Sequence, residues 1–195
     1  MLRVEAATAG YDARRPIIRD FSLSITGPER VALAGANGAG KTTLLALIAG
    51  RLKPFAGGAR IFCDFAMLDQ QIDLLHRSLS IRENFRRINP TADENGRRAA
   101  LARFMFRAEA AMQTVSTLSG GQLLRAALAC VLGGPTPPQF LILDEPTNHL
   151  DIESIAEVEA GLRAYDGALL AVSHDEAFLD AIGVTRRVEL APHPG

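Results

Sequence analysis

Apolar and polar residues alternate through Phe21-Ser22-Leu23-Ser24-Ile25, the period of a strand with one face covered, and the apolar run Val31 to Ala34 leads straight into glycines. Both stretches read as strands. Leu44, Leu45 and Ile48 then form one stripe of a helix predicted over Lys41 to Ala49, with Gly50 placed to stop it. From Leu79 to Arg107 the pattern is helical and Asn89-Pro90 separates two helices; Ser80 with Glu83, and Thr91 with Glu94, stand at capping-box spacing. A further helix is expected over Gly120 to Leu132, closed by Gly133-Gly134-Pro135 and followed by the buried-strand run Phe140 to Leu143. A helix starting after Asp151 and the apolar run Ala168 to Val172 complete the alternation. This order predicts an α/β fold, a mostly parallel sheet with helices on its faces, interrupted by a helical insert at about 79–132. No internal repeat or low-complexity tail is visible.

Composition narrows the picture. At 195 residues, 48% of them hydrophobic, the chain is expected to form one domain with a sizeable core. A net charge of -1 argues against a protein whose whole field attracts nucleic acid, although arginine supplies nearly all the positive charge and local patches remain open. Cys63 and Cys130 stand far apart with no C-x-x-C partner, which suggests neither a disulfide framework nor a zinc site and makes a reducing cytoplasm the simplest home. The first fifteen residues lack the apolar stretch of a secretory leader, and no run of eighteen apolar residues predicts a membrane span. His76 and His193 carry no chemical context and read as structural or solvated.

Three constellations carry chemistry. Gly35-Ala36-Asn37-Gly38-Ala39-Gly40-Lys41-Thr42 fits G-x-x-x-x-G-K-[ST] and lies between a predicted strand and a predicted helix. A triphosphate needs several donors converging on closely spaced oxygens, and glycines let successive N–H groups face inward beside the positive end of a helix. Lys41 adds a point charge, Thr42 offers a hydroxyl to Mg²⁺, and Thr43 is grouped with them. The glycine spacing excludes a dinucleotide fingerprint. Next, the strand Phe140 to Leu143 delivers adjacent carboxylates, Asp144 as the expected Mg²⁺ partner and Glu145 as the candidate general base. Third, Leu118-Ser119-Gly120-Gly121-Gln122 opens a helix, so it is either a second anion site or simply a helix cap built on Ser119.

Taken in order, the glycine loop, Leu118 to Gln122, Leu143 to Asp151 and Ser173-His174-Asp175 resemble the nucleotide-binding domain of ABC ATPases over nearly the whole chain. The resemblance implies ATP and Mg²⁺ as cofactors, a P-loop NTPase core with an antiparallel β part at the N-terminus, and a helical signature subdomain. It makes 118–122 the signature motif, whose Ser119, Gly120, Gly121 and Gln122 cap the γ-phosphate of ATP held by an opposing domain. It makes Gln70 the Q-loop glutamine near metal and water, with Gln71 directly adjacent. Tyr11 becomes the aromatic that stacks on adenine, the alternative being a tyrosine in a surface turn. His174 resembles the switch histidine at the γ-phosphate, and Asp151 the D-loop aspartate between domains.

Glu145-Pro-Thr-Asn148-His149-Leu-Asp151, together with Ser173 to Asp180 and Leu79 to Asn84, is similar to the ABC-F branch, whose members have no membrane domains and act on ribosomes. Two features depart from that branch. Gln122 stands where its members carry glutamate, and one nucleotide domain is present where they carry two, which implies a C-terminal half or a half-size protein that dimerises. Gln70 to Leu118 also leaves no room for the branch's long helical arm. The implied partners are a second nucleotide-binding domain and the ribosome; the alternative is the ATP-binding subunit of a membrane transporter, seated on its permease. A genome-maintenance ATPase would need a coiled coil or a cysteine-rich insert, and neither occurs. Arg77, Arg82, Arg86, Arg87, Arg97, Arg98, Arg103 and Arg107 make the insert locally basic, which suits either rRNA phosphate or a solvated face.

Overall fold

The computed structural model describes residues 1–148 and 150–191; His149 and His193 lie outside the described residues. The chain begins with β1 (Leu2–Ala9), β2 (Ile18–Ile25), β3 (Arg30–Ala34), α1 (Lys41–Ile48), β4 (Ala56–Ile61) and β5 (Phe65–Leu68). Helices α2 (Ile81–Ile88), α3 (Glu94–Arg103) and α4 (Gly120–Leu132) follow, with short 3₁₀ helices at Ala108–Met112 and Val115–Thr117 before α4. Then come β6 (Phe140–Asp144), α5 (Ile152–Arg163), β7 (Ala168–Val172), α6 (Glu176–Ala181) and β8 (Arg186–Glu189). Strands β2-β1-β4 make an antiparallel sheet, and β5-β6-β7-β3-β8 a wholly parallel one. The α/β fold expected from the pattern is therefore present, with its antiparallel part at the N-terminal end.

The continuous apolar strands follow from burial on both faces. Phe140, Ile142, Ala168, Leu170 and Val172 pack with α1 and the antiparallel sheet, whereas Leu141, Leu143, Leu169 and Ala171 pack with the helices on the opposite side. Neither face sees water, so no polar alternation survives in the sequence. In β2 the outer positions are exposed, and its polar alternation is retained.

Capping fixes the helical insert, with one departure from expectation. The Ser80–Glu83 box forms, with both reciprocal bonds in place. Thr91–Glu94 does not. Asp93 is the cap instead, its Oδ1 accepting from the Gly96 N–H at 2.6 Å, and Glu94 is drawn away by arginines. An aspartate one residue before the helix competes directly for the same N–H groups, and a short carboxylate is as good a cap as a hydroxyl. Buried Asn84 accepts from the His76 N–H and donates to the His76 and Ser80 carbonyls, anchoring the segment that precedes α2. His76 is exposed, with its Nδ1 3.0 Å from Ser78 Oγ. The termini of α5 and α6 are joined through Arg30, which donates to the carbonyls of Leu162 and Ile182 at 3.0 and 2.5 Å and also to that of Tyr165. Both cysteines are free, and burial pushes the Cys130 thiol up to about 12, leaving it a packing residue.

Candidate functional site

Parallel strands end at a common edge, and four of the five deliver a loop there. The glycine loop follows β3, Asp144 and Glu145 end β6, Ser173-His174 follows β7, and Asp69-Gln70 follows β5. Because β7 lies between β3 and β6, His174 emerges between the glycine loop and the carboxylates.

The loop is shaped by backbone that ordinary residues resist. Gly40 has φ 98°, and a Cβ there would meet Ile17 Cγ2 at 2.5 Å and Ile18 Cδ1 at 3.1 Å. Only glycine makes both the turn and the close approach. Gly40 is also the N-cap of α1 and supplies no side-chain acceptor, so the first-turn N–H groups of that helix are left for another partner. Thr43, Leu44, Leu45, Leu47 and Ile48 bury the helix and hold those donors still. Rigid, uncapped N–H groups at a helix start are what an anion requires.

Lys41 Nζ donates to the carbonyls of Gly35 and Ala36 at 2.8 and 3.3 Å and lies 3.2 Å from His174 Nε2. The same His174 nitrogen is 3.3 Å from Glu145 Oε1. One ring nitrogen cannot accept from Lys41 and donate to Glu145 at once, so any protonation state satisfies one contact and leaves the other unpaired. Glu145 has φ 50°, left-handed backbone in a non-glycine residue that costs on the order of 1–3 kcal/mol, and its N–H is tied to the Val172 carbonyl at 2.8 Å. That turn ends the strand immediately after Asp144. Asp144 is 4% exposed, and its carboxyl is pushed above the ordinary range by burial first, then by the charges of Glu145 and Asp69, against the opposing pull of Lys41 and the Thr42 hydroxyl.

A cleft of about 400 Å³ joins these groups: Asn37, Gly38, Gly40, Lys41, Thr42, Thr43, Gln70, Asp144 and Glu145 all border it. Buried Ala39 closes the loop behind, its N–H donating to the Ala36 carbonyl. Gln70 also borders an adjoining hollow with Gln71, Leu124 and Asn148; Gln71 reaches only that hollow. The donor set fits a phosphate chain carrying one divalent ion. Among the described residues no three His, Cys, Asp or Glu side chains form a self-contained cage, and one hydroxyl beside a buried, charge-starved carboxylate is a partial set of the kind Mg²⁺ takes when phosphate oxygens complete it.

Tyr11, Ser119 to Gln122 and Asp151 stand outside the cleft. Tyr11 is 75% exposed in the segment between β1 and β2, and Ile17 is the residue of that segment that borders the cleft. Ser119 forms the helix cap: its Oγ accepts from the Gln122 N–H at 3.3 Å, and Gln122 Oε1 accepts from the Ser119 N–H at 3.0 Å. Asp151 caps α5 by accepting from the Ser154 N–H at 2.7 Å, and that hydrogen bond lowers its pKa. A Cβ on Gly121 would run into the Ser154 side chain, so 119–122 and Asp151 belong to one packed junction of α4 and α5. Ile17 and Asp69 carry no motif in the sequence that points to the site. Asp69, held by Arg51 at 2.9 Å, adjoins Gln70 at the end of β5, and that adjacency was its only signal.

A family model described as ABC transporter matches residues 18–148. ATP-binding protein Uup of Haemophilus influenzae is 37% identical over 174 residues, 86% of this chain and 27% of the relative. ATP-binding cassette sub-family F member 3 of Mus musculus is 35% identical over 182 residues, 92% of this chain and 25% of the relative. The chain thus spans only about a quarter of the length of these curated relatives. A solved bacterial Atm1-family ABC exporter with ATP bound superposes with a TM-score of 0.75 at 21% identity, covering 91% of this chain and 35% of the exporter chain, a likeness of fold. Among the described residues no helix is long and apolar enough to cross a membrane. The chain belongs to the ABC family of ATP-binding domains, and its relatives include members of the F sub-family.

Proposed function

We propose that residues 1–195 form one nucleotide-binding domain, with a helical subdomain at about 79–132, that binds Mg²⁺–ATP at Gly35 to Thr43 and hydrolyses it to ADP and phosphate. The observation that carries this is the single cleft in which Lys41, Thr42, Gln70, Asp144 and Glu145 meet. The loop and α1 N–H groups with Lys41 hold the phosphates, while Thr42, Asp144 and Gln70 would hold the metal, which would offset charge on the phosphate oxygens. Phosphate oxygens draw Lys41 off the Gly35 and Ala36 carbonyls, and His174 is then released from its divided contact to serve the γ-phosphate. Glu145 takes a proton from a water molecule whose oxygen bonds to the γ-phosphorus as the bond to the bridging oxygen breaks and ADP leaves with that electron pair. Tyr11, being exposed, is available to stack on the adenine. Lys41→Ala is expected to lose at least about tenfold in ATP affinity by calorimetry, as a lost charge-assisted bond implies. Unchanged affinity and turnover would remove this assignment.

The setting proposed is cytoplasmic and ribosomal, within an ABC-F type factor in which a second nucleotide-binding domain completes the site. Its support is the likeness to sub-family F together with Asn148 beside the carboxylates. Tagged chain is expected to sediment with ribosomal particles in an ATP-dependent way. Recovery with membranes and a permease instead would establish the transporter alternative without disturbing the ATP site.

A further inference from the structure

Glu94, the residue that fails to join the Thr91 cap, sits at the centre of a charge cluster far from the nucleotide chemistry. Its Oε1 accepts from Arg82 at 2.8 Å and Arg98 at 3.1 Å, and its Oε2 pairs with Arg97. Three guanidinium groups therefore share one carboxylate. They border a cavity of about 570 Å³ between α2, α3 and the 3₁₀ helix 108–112, and Arg107 and Glu109 lie on the same wall. Arg97 is only 9% exposed, yet its buried Nε has no hydrogen-bond partner. Burial, then the charges of Arg82, Arg86 and Arg98, lower its pKa. The rest of the wall is apolar: Leu101, Phe106 and Ala111 are buried, and Met112 is exposed. None of these residues borders the cleft at the glycine loop.

We propose that this cavity binds a small amphiphilic anion, with a carboxylate or phosphate head among Arg82, Arg97 and Arg98 and an apolar body against Leu101, Phe106 and Met112. Four arginines against two glutamates leave two positive charges in excess along the lining, which an added anion would offset. A buried guanidinium whose Nε–H has no acceptor gains from a further charge-assisted bond, and an orphaned buried donor calls for an explanation. The volume lies within the usual range of small-molecule sites, about 300–1,000 Å³. The apolar wall decides against nucleic acid, whose backbone needs an open row of cations and makes no use of an enclosed hydrophobic side.

The test uses octyl phosphate and octanoate as probes, with octanol and inorganic phosphate as half-molecule controls. Calorimetry of the intact chain is expected to show at least one amphiphile binding about tenfold tighter than either control, with the Arg97 Nε–H resonance shifting on titration. Binding by one head only identifies that head. Arg98, whose side chain is 72% exposed, tolerates replacement, so Arg98→Gln should weaken binding about tenfold while the fold and ATP affinity are unchanged. Glu94→Gln should tighten it by removing the resident acid. Inorganic phosphate binding as well as octyl phosphate would reduce the site to surface charge. Absence of saturation at millimolar probe, or affinity indifferent to Arg98→Gln, would overturn the proposal outright.

Discussion

Glu145→Gln protein is expected to bind Mg²⁺–ATP as the parent does and to release phosphate about 10² to 10⁴-fold more slowly in a single turnover, the usual worth of a positioned general base. The amide keeps the shape of the carboxylate. It keeps an oxygen for the His174 contact at 3.3 Å, and the backbone turn at φ 50° belongs to the main chain and its bond to Val172. Only the ability to accept the water's proton is lost. The substitution also takes away one of the charges that raise the Asp144 pKa, so the neighbouring carboxylate is easier to ionise in the variant and metal binding is not the step that suffers. A Gln variant as fast as the parent would transfer the proton acceptor's role to Gln70 or His174. A variant that fails to bind ATP would point to Glu145 as a binding group rather than a base.

What the sequence made legible was whatever is periodic or locally capped. The bounds of α4 are legible because Ser119 and Gln122 cap one end and Gly133 closes the other. β6 and β7 are visible because both faces are covered and every residue is apolar except Asp144, which ends β6. The Thr91 cap failed because Glu94 has three cationic neighbours in space, two of them within its own helix and one twelve residues before it, and spacing alone cannot weigh a distant arginine against a near hydroxyl. At the site, the glycine loop and the paired carboxylates are contiguous in sequence and were readable as motifs. Ile17 and Asp69 are not, because Ile17 meets the cleft from the β1–β2 connection and Asp69 acts on Asp144 through its charge, and both relations arise only when the chain is folded. The segment 119–122 admits two readings from sequence, a helix cap and an anion site. The cap is formed, and a cap uses Ser119 Oγ as an acceptor while its hydroxyl proton stays free for another oxygen.

That free proton carries the second large expectation, that ATP drives association of two copies. The glycine loop opens α1 on the sheet, whereas Ser119 to Gln122 open α4 on the helical insert and stand outside the cleft, so one γ-phosphate does not meet both within a chain. In a head-to-tail pair each ATP would gain the hydroxyl of the partner's Ser119 and the N–H groups that follow it. Only contacts made in the dimer and absent in the monomer shift the equilibrium. One charge-assisted bond per nucleotide, at about 1.5–3 kcal/mol, gives about 3–6 kcal/mol over two sites, or roughly 10² to 10⁴ in the dimerisation constant. Glu145→Gln protein, which stops at bound ATP, is therefore expected to dimerise with Mg²⁺–ATP and to remain monomeric without it in equilibrium sedimentation. Ser119→Arg should abolish the effect, but it also removes a cap worth about 1 kcal/mol, so loss of fold must be separated from loss of contact. Ser119→Asp makes the separation: aspartate caps a helix as well as serine does, yet places a negative charge against the phosphate. Dimerisation lost in both variants, with thermal stability kept in the aspartate one, supports the contact. A strict monomer with ATP at tens of micromolar would exclude the self-pair and leave a different domain as partner, and a tight dimer without nucleotide would contradict the coupling itself.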